Sequence, residues 1–133
     1  MCQRAIELKV SADLLVARLA ARKMAESAGL GVMDQTRFAT AVSELGRNAL
    51  VYAAGGMCAL QDLSDGSQIR LLAEVSDKGP GIADVDRAMT DGYSSSGSLG
   101  AGLPGTRRLV DEFDIRTDAD GTVVRVQIVR RRR

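Results

Sequence analysis

Glycine is distributed unevenly along this chain, and that distribution limits the fold it can adopt. Residues 76–106 hold seven of the 14 glycines and both prolines. Because glycine and proline interrupt helices and strands, we expect most of this segment to be loop. The regular elements must therefore come mainly from the two flanking segments. A length of 133 residues predicts that they form a single domain spanning residues 1–133.

The segment before the glycine-rich loop begins with a strand pattern and continues with two helix patterns. Residues 6–10 alternate apolar and polar side chains and predict a strand. A first helix is predicted from an N-cap at Ser11 to about residue 28, because apolar residues such as Leu15 and Leu19 recur at helical spacing. A second helix is predicted from Asp34 until the glycine pair at residues 55–56.

The remaining pattern predicts two hairpins on either side of the loop. The further predicted elements are strands at 57–63 and 68–75, one or two helical turns at 84–89, a short helix at 103–112, and strands at 113–117 and 122–130. This order predicts an α/β fold, a two-layer sandwich in which a mixed, mostly antiparallel sheet carries helices on one face.

The absence of histidine excludes several kinds of chemistry. With no histidine in the chain, Ser-His-Asp, Cys-His and histidine-metal sites are ruled out. No tryptophan and only two Phe and two Tyr argue against an aromatic platform for nucleic acid. Cys2 and Cys58 do not make a disulfide framework, and no secretory signal or bilayer-spanning segment is visible. We therefore expect a cytoplasmic protein with neither nucleic acid nor membrane as a partner.

Basic residues are concentrated at the C-terminus. The net charge is +1, but Arg130 to Arg133 supply four of the 18 Lys and Arg residues, so without them 14 basic residues stand against 17 acidic ones, or −3. The favoured interpretation of this tail is a solvated, frayed end. A contact with nucleic acid or anionic lipid is the alternative.

The first motif that could carry chemistry lies in the second helix. Glu44 and Asn48 are four residues apart and therefore project from one helix face. A carboxylate and an amide there could accept a proton and bind a hard cation. The alternative is a pair of solvated surface side chains. Gly46 between them costs about 1 kcal/mol relative to alanine in mid-helix and is typical of a close approach by another group.

The second motif follows the strand that ends near residue 75. Asp77, Gly79 and Gly81 form an Asp-x-Gly-x-Gly sequence, in which the glycines allow a tight turn. A carboxylate at this position could accept hydrogen bonds from the exocyclic amine of a base. The alternative is a plain turn at the end of a strand.

The third motif is a glycine-rich run before the short helix, at residues 97–105. Gly100 and Gly102 expose backbone N–H groups close to a helix N-terminus, which makes the run a candidate phosphate cradle. No hydrophobic strand precedes it, as a Rossmann fingerprint requires, and the lysine of a P-loop is missing. The alternative is a flexible lid without a ligand.

In this order the three motifs resemble the GHKL ATP-binding (Bergerat) fold, and most closely its RsbT-type serine/threonine kinases. The resemblance implies that Glu44 activates the attacking hydroxyl, that Asn48 binds Mg²⁺, and that Asp77 bonds the adenine amino group. It also implies a set of further nucleotide-binding positions, namely Gly79 and Gly81 around the adenine, Gly97, Gly100 and Gly102 in the phosphate lid, and Thr122 with a hydroxyl near the adenine.

The same resemblance implies an activity and partners. It predicts an ATP- and Mg²⁺-dependent serine/threonine switch kinase of a bacterial stress or sigma-factor module. Because the chain has no histidine to phosphorylate, the acceptor must be another protein, implied to be a STAS-domain antagonist or scaffold of the RsbS or RsbR type. Activation of a PPM-type phosphatase by direct binding is also implied. The alternative is a nucleotide-gated binding regulator, such as an anti-sigma factor, without significant turnover.

Overall fold

The computed structural model describes residues 3–53, 55–79 and 103–132. Within them, three helices span Ser11–Ala28 (α1), Val32–Ala53 (α2) and Leu103–Leu109 (α3). Five strands span Gln3–Leu8 (β1), Gly56–Asp62 (β2), Gln68–Asp77 (β3), Glu112–Asp118 (β4) and Gly121–Arg131 (β5). The predicted helical turns at residues 84–89 lie outside the described residues.

The five strands form one sheet in the order β1-β2-β3-β5-β4. All four pairings between these strands are antiparallel. Two of the pairings are the predicted hairpins, β2 with β3 and β4 with β5. β3 precedes the glycine-rich segment and β5 follows it. Because these two strands pair, the end of β3 lies next to the start of β5.

The core lies between one face of the sheet and the helices, as a two-layer α/β sandwich requires. Alternate residues of the strands point into it, and α2 contributes an apolar stripe on its inner side. The largest fully buried side chains are Phe38, Leu8, Leu45, Leu60, Leu71 and Ile128. The predicted fold class is confirmed, and the described part of its core consists mainly of aliphatic side chains around the fully buried Phe38.

The first strand ends earlier than its alternating pattern predicts. β1 stops at Leu8, and the backbone N–H groups of Lys9 and Val10 donate to the carboxylate of Asp13 at 2.8 and 3.0 Å. Val10, not Ser11, is the N-cap of α1. The prediction of Ser11 as the cap is wrong: the helix begins after Val10, and the carboxylate of Asp13 in the first turn accepts a hydrogen bond from the backbone N–H of that cap residue.

α1 is confirmed as a helix, but its larger apolar residues do not face the core. Its buried face consists of five alanines and Met24. Leu15, Val16 and Leu19 are exposed on the outer face. Small alanine side chains allow α1 to lie close to α2, and this close packing decides which side of the helix is buried.

Arg130, Arg131 and Arg132 do not form a frayed end. β5 continues to Arg131, and Arg130 makes ion pairs with Asp34 at 2.9 Å and with Asp111 at 2.6 Å. The backbone N–H of Arg132 donates to the carbonyl of Ser67 at 3.0 Å. The favoured interpretation of a solvated tail is therefore wrong for residues 130–132, because Asp34 and Asp111 lie where Arg130 can reach both.

Candidate functional site

Glu44 and Asn48 lie on one face of α2, as their spacing predicts. Both side chains are half-buried, while Leu45 and Ala49 beside them are in the core. Within the part of the chain that the structure describes, neither side chain makes a hydrogen bond or an ion pair. A carboxylate and an amide oxygen are thus available together at the edge of the core.

Gly46 lies on the opposite side of α2, because two residues correspond to about 200° of rotation around a helix. A Cβ atom at this position would lie 2.8 Å from Cδ2 of Leu14 and 3.4 Å from Cδ1 of Leu8. The predicted close approach at Gly46 is confirmed. The approaching groups come from α1 and β1 rather than from a ligand.

Asp77 ends β3, and the turn after it orients its carboxylate. The backbone N–H of Gly79 donates to Oδ1 of Asp77 at 2.9 Å. Oδ2 has no hydrogen-bond partner among the described residues. One oxygen is therefore held by the chain, and the other remains able to accept a hydrogen bond from an amine.

The turn at Gly79 packs against the end of α2. A Cβ atom on Gly79 would lie 2.5 Å from Cβ and 3.0 Å from Cα of Ala53. Because one of these atoms is backbone, a side chain at position 79 would force the turn away from α2. Glycine thus lets the end of β3 lie directly against the helix that carries Asn48, five residues before Ala53.

Thr122 lies beside Asp77 in the sheet. The two residues are partners in the β3–β5 register, and Thr122 is 6% exposed. Its Oγ1 is 2.8 Å from Oγ1 of Thr117, and either hydroxyl could be the donor. The predicted pair of Asp77 and Thr122 is therefore brought together, with a carboxylate and a hydroxyl on adjacent strands.

Thr117 and Gly121 lie next to Asp77 and Thr122, where β3, β4 and β5 meet. The sequence motifs do not predict either residue as part of the site. Thr117 faces Thr122 across the β4–β5 hairpin. A Cβ atom on Gly121 would clash with the backbone carbonyl oxygen of Asp77, so a glycine is needed where β5 meets the end of β3. The predicted hairpin could have indicated Thr117, because residues at the two ends of a short turn face each other across the strands.

Four predicted positions cannot be placed. Gly81, Gly97, Gly100 and Gly102 lie outside the described residues, so the phosphate cradle stays a prediction. Glu44, Asn48, Asp77, Gly79 and Thr122 are all described. They divide into a helix face on α2 and a strand-end corner on β3 and β5, which meet through the contact of Gly79 with Ala53.

The side-chain oxygens of Glu44 and Asn48 on α2 suit a cation that takes its remaining ligands from phosphate and water. No group of three or more His, Cys, Asp or Glu side chains that could hold a metal occurs among residues 3–53, 55–79 and 103–132. Asn48 and Glu44 offer hard oxygens, which Mg²⁺ prefers, and Mg²⁺ usually takes only one or two protein ligands besides phosphates and water. The residues present therefore fit magnesium bound together with a phosphate ligand.

The buried thiol does not take part in this site. Cys58 is fully buried in β2, and burial raises the pKa of its thiol to about 12. At neutral pH the group is protonated and packs as a small apolar side chain. Cys58 therefore adds no acid–base group to the carboxylate and amide on α2.

Comparisons with known proteins agree with this geometry. A family model described as Histidine kinase-like ATPase domain matches residues 10–128. The chain belongs to this family. It is also 41% identical over 123 residues to the serine/threonine-protein kinase RsbT of Bacillus subtilis (strain 168), an alignment that covers 92% of both chains. The predicted class, an RsbT-type serine/threonine kinase with an ATP-binding domain, is confirmed.

Solved structures show the same fold at low sequence identity. The crystal structure of the RsbU and RsbW domains of Rv1364c from Mycobacterium tuberculosis matches 98% of this chain with a TM-score of 0.67 and 20% identity, and the chain spans 33% of that protein. The mycobacterial sensor histidine kinase MprB matches 96% of this chain and 97% of its own, with a TM-score of 0.53 and 16% identity.

No helix within residues 3–53, 55–79 and 103–132 is long and apolar enough to cross a bilayer.

Proposed function

We propose that this kinase transfers the γ-phosphoryl group of ATP to a serine or threonine hydroxyl of a STAS-domain protein. The observation that supports this most strongly is the strand-end corner. There, Asp77 keeps one carboxylate oxygen available beside the buried hydroxyl of Thr122. An exocyclic amine that donates to Asp77 would distinguish adenine from guanine, because guanine presents an acceptor oxygen at the corresponding position.

Glu44 is proposed as the general base. The acceptor hydroxyl gives its proton to the Glu44 carboxylate while its oxygen forms a bond to the γ-phosphorus. The bond from that phosphorus to the bridging oxygen breaks, and ADP leaves with the electron pair. Such a transfer asks little covalent chemistry of the protein, so positioning and charge stabilisation carry most of the effect.

Asn48 is proposed to hold the cation, through its amide oxygen. Bound Mg²⁺ would neutralise charge on the phosphates during the transfer. The neighbouring Glu44 and Asn48 lie one helical turn apart, which places the base and the cation ligand on one side of α2. Gly81, Gly97, Gly100 and Gly102 are proposed to surround the adenine and the phosphates with backbone N–H groups.

The proposed partners follow from the relationship to RsbT. The substrate is a STAS-domain protein of the RsbS or RsbR type, and the released kinase also activates a PPM-type phosphatase by binding it. The reaction is placed in the cytoplasm, where ATP is supplied and the Cys58 thiol stays reduced. Pure binding regulation would need Asn48 and Asp77 but no base, so the presence of Glu44 supports turnover.

Phosphotransfer to the cognate STAS-domain protein tests the base. With labelled ATP and Mg²⁺, we expect Glu44→Gln to lower the transfer rate by about 10²–10⁴-fold while leaving ATP affinity within about twofold. Glu7→Gln, at an exposed carboxylate of β1, is the matched control and should transfer phosphate at the wild-type rate. Transfer that survives Glu44→Gln unchanged would refute the assigned base.

Equilibrium ATP binding tests the adenine contact. Asp77→Asn replaces a charged acceptor by an amide, and a hydrogen bond to a charged group is worth about 1.5–3 kcal/mol, so ATP affinity should fall by about tenfold or more. Asp114→Asn, on the exposed side of β4, is the control and should bind ATP as the wild type does. An undiminished affinity in Asp77→Asn would remove this residue from the pocket.

A further inference from the structure

The outer face of α1 carries an apolar strip that has no partner within the described residues. Leu15, Val16 and Leu19 are 57, 44 and 56% exposed. Leu15 and Leu19 are one helical turn apart, about 6 Å along the axis, and Val16 adjoins them. Single exposed apolar residues are ordinary, but large ones grouped on the solvent side of a helix are typical of an interaction surface. The opposite side of the same helix buries mainly alanines.

Cations border this strip. Arg18, Arg22 and Lys23 are exposed on α1, and none of them forms an ion pair with another described residue. Glu26 is the exposed acid of the same face, so three positive charges stand against one negative charge. The complementary surface is therefore an apolar ridge with acidic flanks.

A second copy of this chain does not supply that surface through the same face. A two-fold contact along α1 would place Arg18, Arg22 and Lys23 of one copy next to the same residues of the other. The two Glu26 carboxylates could balance only a third of those six charges. Like charges brought together in an interface oppose association.

A membrane surface also fits less well than a protein. Helices that lie in the lipid interface carry a long apolar face, often with Trp or Phe. The strip on α1 consists of three aliphatic residues within two turns, and Glu26 projects from the same side. Its size matches one or two turns of a partner helix instead.

We propose that the outer face of α1 is a docking surface for an acidic amphipathic helix of a partner protein. The surface is separate from the face of Glu44 and Asn48, because α1 packs through Leu14 against Gly46 on the far side of α2. A partner held at α1 therefore leaves the nucleotide-binding side of α2 uncovered. The proposal concerns a second contact surface and does not depend on the roles assigned to Glu44 or Asp77.

Fluorescence anisotropy with two designed peptides tests this surface on the full chain. One labelled helical peptide carries a leucine stripe flanked by glutamates, and the other carries the same stripe flanked by lysines. We expect the acidic peptide to bind at least about tenfold more tightly. Leu15→Gln with Leu19→Gln should weaken it about tenfold or more, and Arg18→Glu with Arg22→Glu should reverse the preference. Arg131→Glu, at an exposed position on β5, is the charge control and should change nothing.

Three results would overturn the proposal. The first is equal binding of both peptides, or binding that the α1 substitutions leave unchanged. The second is a wild-type dimer in sedimentation that Leu15→Gln with Leu19→Gln dissociates, which would assign the strip to a second copy. The third is a protein that sediments together with phosphatidylserine vesicles but binds neither peptide. ATP affinity measured on the same samples should stay at the wild-type value, so loss of docking and failure of the nucleotide site are reported separately.

Discussion

At the scale of single residues, Asp77 and Gly79 together shape the turn at the end of β3. The spacing of the two residues predicts an acidic group followed by a tight turn. The structure adds the reasons: the Gly79 N–H holds Oδ1 of Asp77, and Ala53 leaves no room for a side chain at position 79. Ala53 could not be predicted as a neighbour, since it lies in another element and has no chemistry of its own.

Gly79→Ala tests this packing. The added methyl group would meet Cβ and the backbone Cα of Ala53, so the turn must shift and move the N–H donor away from Asp77. We expect ATP affinity, measured by calorimetric titration, to fall by about tenfold, as for the loss of a hydrogen bond to a charged group. Gly66→Ala is the control, because nothing lies within 4 Å of a Cβ atom there. Equal affinities in the two variants would show that the turn is not held by Ala53.

At the scale of elements, the spacing of apolar residues in α1 predicts that the segment is helical but not which side of the helix is buried. The spacing of Leu15 and Leu19 correctly predicts a helix. It does not reveal that the alanine side is buried and the leucine side exposed, because both sets recur at the same period. The choice depends on how closely α1 can approach α2, and at Gly46 the absence of a side chain leaves room for Leu14 of α1.

The start of α1 leads to a prediction about pH. The backbone hydrogen bonds from Lys9 and Val10 hold the pKa of Asp13 below its ordinary value. A lowered folded-state pKa contributes stability that is present above the unfolded pKa and is lost as the pH falls through the folded one. We expect Asp13→Ala to lower the Tm at pH 7, and the difference from the wild type to shrink below about pH 4.

The control for this prediction lies at the other end of the same helix. Glu26→Ala removes an exposed acid near the C-terminus of α1, where a negative charge opposes the helix dipole, and should not lower the Tm. Thermal unfolding followed by circular dichroism between pH 3 and 7 measures both variants. A difference between Asp13→Ala and wild type that stays constant over this range would show that the carboxylate charge does not matter.

At the scale of the whole molecule, Arg130 joins parts of the fold that are far apart in sequence. Its guanidinium donates two hydrogen bonds to Asp34 near the start of α2, at 3.0 and 2.9 Å, and one to Asp111 before β4, at 2.6 Å. The hydrogen bonds with Asp34 hold the pKa of Arg130 above its ordinary value. The end of β5 is thereby attached to the helical layer.

Removing this guanidinium should destabilise the whole fold. Hydrogen bonds to charged groups contribute about 1.5–3 kcal/mol when buried, and partial exposure of the pair reduces this, so we expect Arg130→Ala to lower the unfolding free energy by about 1–2 kcal/mol. Urea denaturation measures the change. Arg131→Ala, the exposed neighbour on the same strand, should stay within about 0.5 kcal/mol of wild type. A similar loss in both variants would mean that tail charge in general, not the contact with Asp34 and Asp111, stabilises the protein.

The sequence by itself determined the order of helices and strands, the α/β class, and the pairing of Glu44 with Asn48 on one helix face. These features depend on local periodicity and on turn residues, which act over a few positions. Only the tertiary structure decided the strand order, the buried side of α1, the contact of Gly79 with Ala53 and the attachment of Arg130. Each of these joins residues distant in the chain, and their meeting depends on close packing, which local patterns do not record.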